Sequence, residues 1–148
     1  MNMPSRLPLA LLPTPLHRLD ATSTALDREV FIKRDDMTGS HLSGNKVRKL
    51  EFLLSRALEA GATHVITCGG LNSNHCRATA LAAAAVGLEV VLLLRTPRGV
   101  PADIEGHTSF NMVLNQISGA RRVLCDPKGY RARTQRMDLI AADIEAEG

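Results

Sequence analysis

The 148-residue chain has no tryptophan, one tyrosine and three phenylalanines. So few flat side chains leave little to stack on bases, and the arginines are scattered, so nucleic-acid binding is not expected despite a pI of about 9.0. Three cysteines, Cys68, Cys76 and Cys125, are an odd number without CxxC spacing. That excludes a disulfide framework and a structural zinc site, and reads as reduced thiols in a cytoplasmic protein. No cluster of His, Cys and carboxylate has ligand spacing, so no metal is expected. The longest apolar run, Leu81 to Leu88, is far too short to cross a bilayer. Met1 is followed by prolines rather than by a basic start and a hydrophobic stretch, so no secretory signal is expected either. Lysine is scarce: of 18 basic residues only Lys33, Lys46, Lys49 and Lys128 are lysines.

What is present is ordinary globular composition, 45% hydrophobic and 22% charged, in a length that suits one domain. The first 28 residues are Pro-rich and weakly periodic, with no evident element. Glu29 to Lys33 reads as a short strand and leads through a small-residue loop, Thr38 to Gly44, into a helix from about Asn45 to Ala60. There Val47, Leu50, Leu53, Leu54, Ala57 and Leu58 recur at helical steps and Gly61 supplies the stop. Thr63 to Thr67 is a buried-type strand and Gly69-Gly70 marks a tight turn. An alanine-rich helix follows from Asn74 to Val86, then a strand from Glu89 to Leu94. A helix between Asp103 and Ile117, a strand from Arg122 to Cys125 and a last helix from Arg131 to Glu147 complete the pattern. Strands alternating with helices predict an α/β fold, a parallel sheet in a three-layer αβα arrangement. A sheet of three or four strands is small, and the chain reads as the front part of something larger.

Two loop-to-helix junctions carry the chemistry. In Ser43-Gly44-Asn45-Lys46, Gly44 permits close backbone approach and Lys46 falls in the first turn of a helix, beside Arg48 and Lys49. Neighbouring cations and the positive helix end both disfavour the ammonium form, as in lysines that form Schiff bases. By spacing alone the same residue also fits a solvated first turn. The stretch from Gly39 to Lys46 is not a phosphate-binding P-loop, because Asn follows the second glycine and Val47 follows the lysine. The second junction, Cys68-Gly69-Gly70-Leu71-Asn72-Ser73-Asn74-His75, lies at the carboxyl end of a parallel strand, where open α/β sheets bind ligands. Ser73 is a candidate N-cap with free N–H groups beyond it. A capped helix after a glycine turn would read the same way, and the GxSxG of a nucleophile elbow is not met.

Together the junctions are more specific. GNKxRKLEFLL, a step of 27 residues from Lys46 to Ser73, and GGLNSNHCRxTA resemble the pyridoxal-phosphate enzymes that include 1-aminocyclopropane-1-carboxylate deaminase and D-cysteine desulfhydrase, of the tryptophan-synthase-β-like fold. Lys33-Arg34-Asp35-Asp36 and Thr38-Gly39 match the family's approach to the lysine. The resemblance implies pyridoxal 5'-phosphate as cofactor, with Lys46 forming its Schiff base and later moving the substrate's α-proton. It implies Lys49 near the cofactor phosphate and Asn74 on the phenolic oxygen. Ser73 would meet the substrate carboxylate, as nucleophile or proton relay, with Asn72 and His75 beside it on the substrate.

His75 is glutamine in the cyclopropane deaminases and histidine in the desulfhydrases, which tilts the expectation to β-elimination from D-cysteine. The products would be pyruvate, ammonia and sulfide, with 1-aminocyclopropane-1-carboxylate deamination as the alternative. Asn72 stands where family members usually carry glutamine, one methylene longer, and Tyr130 does not align with the family's substrate-side tyrosine. Family members are also much longer chains. The expected organisation is a segment 1–45 leading to the lysine and a small α/β domain, 46–148, with the cofactor-phosphate half absent. A non-catalytic fragment, a pseudoenzyme or one half of a split enzyme is the reading from another class. The expected partners are a small amino-acid substrate and either a homo-oligomer or a complementing C-terminal half. No membrane is expected among them.

Overall fold

The computed structural model describes residues 4–40, 42–97, 99 and 109–147. The chain folds as two compact units, 1–56 and 57–148.

In the first unit a two-stranded antiparallel ribbon joins β1 (Leu16–Arg18) to β2 (Phe31–Lys33), with Leu16 opposite Lys33 and Arg18 opposite Phe31. Between them runs a short helix, α1 (Asp20–Leu26). The helix begins only after Pro15, the last of the prolines that interrupt the start of the chain. The ribbon is held by pairing across the sequence, and no side chain caps α1, so neither element carries a local signal. A 3-10 turn, Asp35–Met37, precedes α2 (Lys46–Glu59).

On α2 the apolar stripe divides. Val47, Leu50 and Leu54 are buried, whereas Leu53 and Leu58 are exposed and Glu51 is buried in their stead. Glu51 is only 1% exposed because its Oε1 accepts from the backbone N–H groups of Leu9 (3.1 Å) and Ala10 (3.0 Å). The Leu9 N–H also lies 3.0 Å from the Leu7 carbonyl, so the carboxylate reinforces a turn there while taking the Ala10 donor, and a buried carboxylate is tolerated where it is hydrogen-bonded.

A second polar clamp joins three parts of this unit. Arg48 on α2 donates through Nε to Asp35 Oδ2 (2.7 Å) and through Nη2 to Asp35 Oδ1 (2.8 Å), the two-pronged geometry that suits a guanidinium. Thr14, itself buried, donates to Asp35 Oδ1 (2.8 Å) and accepts from Arg48 Nη2 (3.0 Å). Lys33 donates from Nζ to the Thr14 carbonyl.

The second unit is built on a three-stranded parallel sheet ordered β3 (His64–Gly70), β4 (Glu89–Arg95), β5 (Arg121–Cys125). The registers run His64 with Glu89 to Gly70 with Arg95, and Val91 with Arg121 to Arg95 with Cys125. On β4, Val90 to Leu94 are buried in succession. Side chains of a strand alternate between faces, so five buried in a row mean that both faces are covered. α3 (Asn74–Ala85) packs on β3 and β4 and against α4 (Phe110–Ile117). Its buried residues are small, Ala78, Ala80, Ala82 and Ala83 among them, which lets the helix lie close to the sheet. α6 (Arg133–Glu147) packs on β3 and α5 (Pro127–Arg131) on β5. The α/β reading with parallel strands and intervening helices therefore holds.

Three boundaries differ from the sequence expectation. The last helix starts at Arg133 rather than Arg131, and a separate short α5 precedes it, because Asp126 Oδ1 accepts from Gly129 N (2.6 Å) and Pro127 occupies its first turn. Helix α4 begins at Phe110, capped by Ser109; the part expected between Asp103 and Thr108 lies outside the described residues. Finally, Gly69 and Gly70 are strand, paired with Leu94 and Arg95, and the turn falls at Leu71-Asn72. Glycine at 69 answers a close approach rather than a turn. A Cβ there would stand 2.6 Å from Cys76 Sγ and 2.7 Å from both Cβ and Oγ of Ser73, whereas a Cβ on Gly70 would meet nothing within 4 Å.

Two outcomes follow from these contacts. Gly69→Ala should destabilise the chain by about 2–3 kcal/mol, the cost of forcing an atom into a filled space, while Gly70→Ala should be neutral or slightly stabilising. Urea unfolding of the two variants side by side checks this. The hydrogen bonds from Arg48, and then from Thr14, hold the Asp35 carboxyl below its ordinary value of 3.8. Because the folded carboxylate ionises at lower pH than the unfolded one, its contribution is complete well above 3.8. It is lost as the pH falls through 3.8 towards the lowered value. Asp35→Asn should therefore lower the urea midpoint at neutral pH, and the gap to the native chain should narrow in strong acid.

Candidate functional site

The lysine junction is set by a buried threonine. Thr38 accepts from Gly44 N–H at Oγ1 (2.9 Å), and its hydroxyl lies 3.2 Å from the Asp35 carbonyl and 3.3 Å from that of Gly44. The loop is thereby closed at its base, two residues before the lysine. Gly44 adopts φ +98°, a conformation open to glycine, and its carbonyl accepts from Val47 N–H (3.1 Å) as the helix begins. Lys46 is the first residue of α2, half-buried, with Nζ donating to Asn45 Oδ1 (3.1 Å); Lys49 is exposed one turn on. Arg48, between them, is committed to Asp35.

The second junction is at the carboxyl end of β3. Ser73 caps α3 with its Oγ accepting from Cys76 N–H (3.2 Å), as its position suggested. An accepting hydroxyl still has its own proton to donate. Asn72 and Asn74 are exposed. Asn111 on α4 reaches both, donating from Nδ2 to the Asn72 carbonyl (2.8 Å) and to Asn74 Oδ1 (3.0 Å). His75 turns to the sheet, its Nε2 2.9 Å from Thr67 Oγ1. Cys76, fully buried beside Ser73, has its thiol pushed up by burial, so it stays protonated and unreactive.

The unit 57–148 thus gathers Asn72, Ser73, Asn74 and His75 at one strand end, and Lys46 and Lys49 belong to the first turn of α2. Sequence reasoning missed Asn111, Thr38 and Asp35. Asp35 stood in a recognised motif, but its partner Arg48 lies 13 residues away and nothing local joins them. Two guanidinium groups lie over the Tyr130 ring, those of Arg95 (5.4 Å from its centre) and Arg133 (5.5 Å). Burial, aided by the adjacent Cys68, pushes its phenol up. A cavity of about 420 Å³ edged by His64, Gly87, Glu89 and Arg121 lies at the opposite, amino end of the strands.

Taken unit by unit, the two helix starts offer groups suited to parts of an aromatic aldehyde carrying a phenolate. A primary amine leads one helix, and an amide and a hydroxyl lead the other. The amine can condense with a carbonyl carbon, and the amide and the hydroxyl can donate to an oxygen. Among the described residues no three His, Cys, Asp or Glu side chains are grouped to hold a metal ion, and no helix is long and apolar enough to cross a membrane.

The model of the family "Pyridoxal-phosphate dependent enzyme" matches residues 7–148. D-cysteine desulfhydrase of Yersinia enterocolitica is 43% identical over 143 residues, 97% of this chain and 42% of its own length. The mitochondrial bifunctional D-cysteine desulfhydrase/1-aminocyclopropane-1-carboxylate deaminase of Arabidopsis thaliana is 46% identical over 122 residues, 82% of this chain and 30% of its own. A crystal structure of an ACC deaminase homologue superimposes with a TM-score of 0.83 at 36% identity, over 98% of this chain and 42% of that one. The chain spans less than half the length of these relatives. With a family model matched along nearly its whole length, and an amine and an amide at the junctions that model covers, the chain belongs to the pyridoxal-phosphate-dependent enzymes.

Proposed function

We propose that this chain is the lysine-bearing part of a pyridoxal-phosphate-dependent amino-acid lyase of the D-cysteine desulfhydrase type. The observation that carries the reading is the pair of helix starts, Lys46 on α2 and Ser73-Asn74 on α3, in a chain 43% identical to a D-cysteine desulfhydrase. The net reaction is D-cysteine plus water giving pyruvate, ammonia and hydrogen sulfide. The cofactor, when bound, supplies the electron sink for the substrate's α-carbon. Lys46 would hold the cofactor through its Nζ and, as a free amine, would take the substrate's α-proton as the sulfur leaves the β-carbon. Lys49 adds positive charge for the phosphate, and Asn74 donates its amide to the phenolic oxygen. Ser73 keeps a hydroxyl proton for the substrate carboxylate, with Asn72 and His75 completing the substrate side. Deamination of 1-aminocyclopropane-1-carboxylate is the alternative, supported by the double name of the Arabidopsis thaliana relative.

On this reading residues 1–45 lead to the lysine, 46–148 form the small domain, and the cofactor-phosphate half comes from elsewhere. A complementing half or a second copy is then needed. Exposed Phe110 (68%), Val113 and Ile117 (72%), which share one face of α4, support an apolar partner surface. The free thiols fit a reducing, cytoplasmic setting. The competing reading is a non-catalytic module of the same family.

Borohydride reduction of the chain with pyridoxal phosphate, followed by peptide mapping, separates the two. An adduct confined to Lys46 and lost in Lys46→Ala supports the lyase reading. Label spread over Lys33, Lys49 and Lys128 as well, or none at all, refutes a site formed by this chain. Turnover of D-cysteine by the chain alone should be weak or absent.

A further inference from the structure

The amide of Asn74 can face a ligand with either its oxygen or its nitrogen, and only the nitrogen donates. Which one it presents is decided by Asn111. The Asn111 side chain lies between two groups of single character. Its Nδ2 is 2.8 Å from the Asn72 carbonyl, which only accepts, and its Oδ1 is 3.4 Å from Arg77 Nη1, which only donates. The orientation of the Asn111 amide is therefore fixed by its neighbours' chemistry. The second hydrogen on the same Nδ2 points to Asn74 at 3.0 Å, so the Asn74 atom facing it must be the oxygen. The Asn74 nitrogen is thereby turned away from Asn111 on an exposed side chain.

We propose that Asn111 is a positioning residue. Held by Arg77 and the Asn72 carbonyl, it fixes the Asn74 amide so that Nδ2 is presented as a donor to the phenolic oxygen of pyridoxal phosphate. The inference rests on the cofactor reading above. The same two bonds tie the turn at Asn72 to the first turn of α4, so the helix that follows β4 sets the donor at the end of β3. The role needs an amide at 111. A carboxylate there would accept instead, drawing the Asn74 nitrogen inward and leaving its oxygen to face the phenolate.

The test uses the full chain with Asn111→Ala, Asn111→Asp, Asn74→Ala and the double variant Asn74→Ala/Asn111→Ala. The first readout needs no cofactor. In 15N-labelled chain, the side-chain amide signals of Asn74, identified by their loss in Asn74→Ala, should move towards unstructured positions in Asn111→Ala. Signals that stay in place overturn the proposal. The second readout is pyridoxal phosphate titration with borohydride trapping at Lys46. Asn111→Ala should weaken binding about tenfold, the worth of one hydrogen bond to a charged oxygen, and so should Asn74→Ala. The double variant should be no worse than either, and losses that multiply overturn the proposal. Asn111→Asp should also shift the balance between the cofactor's visible and near-ultraviolet bands, which a purely structural role would not move. If the native chain forms no adduct at Lys46 the cofactor reading fails, and the amide signals still decide whether Asn111 orients Asn74.

Discussion

Much of the second unit follows from how tightly the end of β3 meets the start of α3. The space where residue 69 would carry a side chain is filled by Ser73 and Cys76. Because the helix start is pressed against the strand end, Ser73 can cap α3 within a few residues of the sheet, and the exposed amides of Asn72 and Asn74 stand at the rim. The alanines of α3 extend the same closeness along the helix, and β4 is enclosed as a result. Parallel sheets place binding groups at the carboxyl ends of their strands because the chain must turn there into a helix whose first N–H groups are unpaired. Here that general tendency is sharpened by a contact that only glycine permits.

In the first unit polar bonds do comparable work. The segment before β1 is interrupted by prolines and forms no regular element, and its N–H groups at Leu9 and Ala10 reach the Glu51 carboxylate on α2. Arg48, one turn earlier, grips Asp35 with both arms while Thr14 bridges them. Between these anchors and the Thr38 bond to Gly44, the first turn of α2 is fixed from three directions. A flexible amine gains from such a base, since the side chain then samples rotamers from a stationary backbone.

The junctions were legible because their signals are local. Gly44 and Lys46 are two residues apart, and Ser73 lies three residues before the N–H it caps. The long apolar runs of α2 and β4 were equally plain. What could not be read depends on residues that meet only after folding. β1 needs β2 for its pairing, and α1 lacks a capping side chain. Glu51, a charged residue on an amphipathic helix, is buried only through the backbone of Leu9 and Ala10, some forty residues away. The Gly69-Gly70 pair was misread as a turn because glycine's usual signal is conformational freedom, and at 69 its value is the missing atom. Asn111 is 37 residues from Asn74 and belongs to no motif of its own.

The environment of Tyr130 makes the chain its own optical probe. With no tryptophan and a single tyrosine, its tyrosine emission comes from one ring, with Arg95 and Arg133 over it and Cys68 beside it. Both arginines and Cys68 belong to the far ends of β4 and β3 and to the start of α6. Movement where these elements converge will alter quenching of that ring. Events at the carboxyl end of the sheet can therefore be followed in the unlabelled protein.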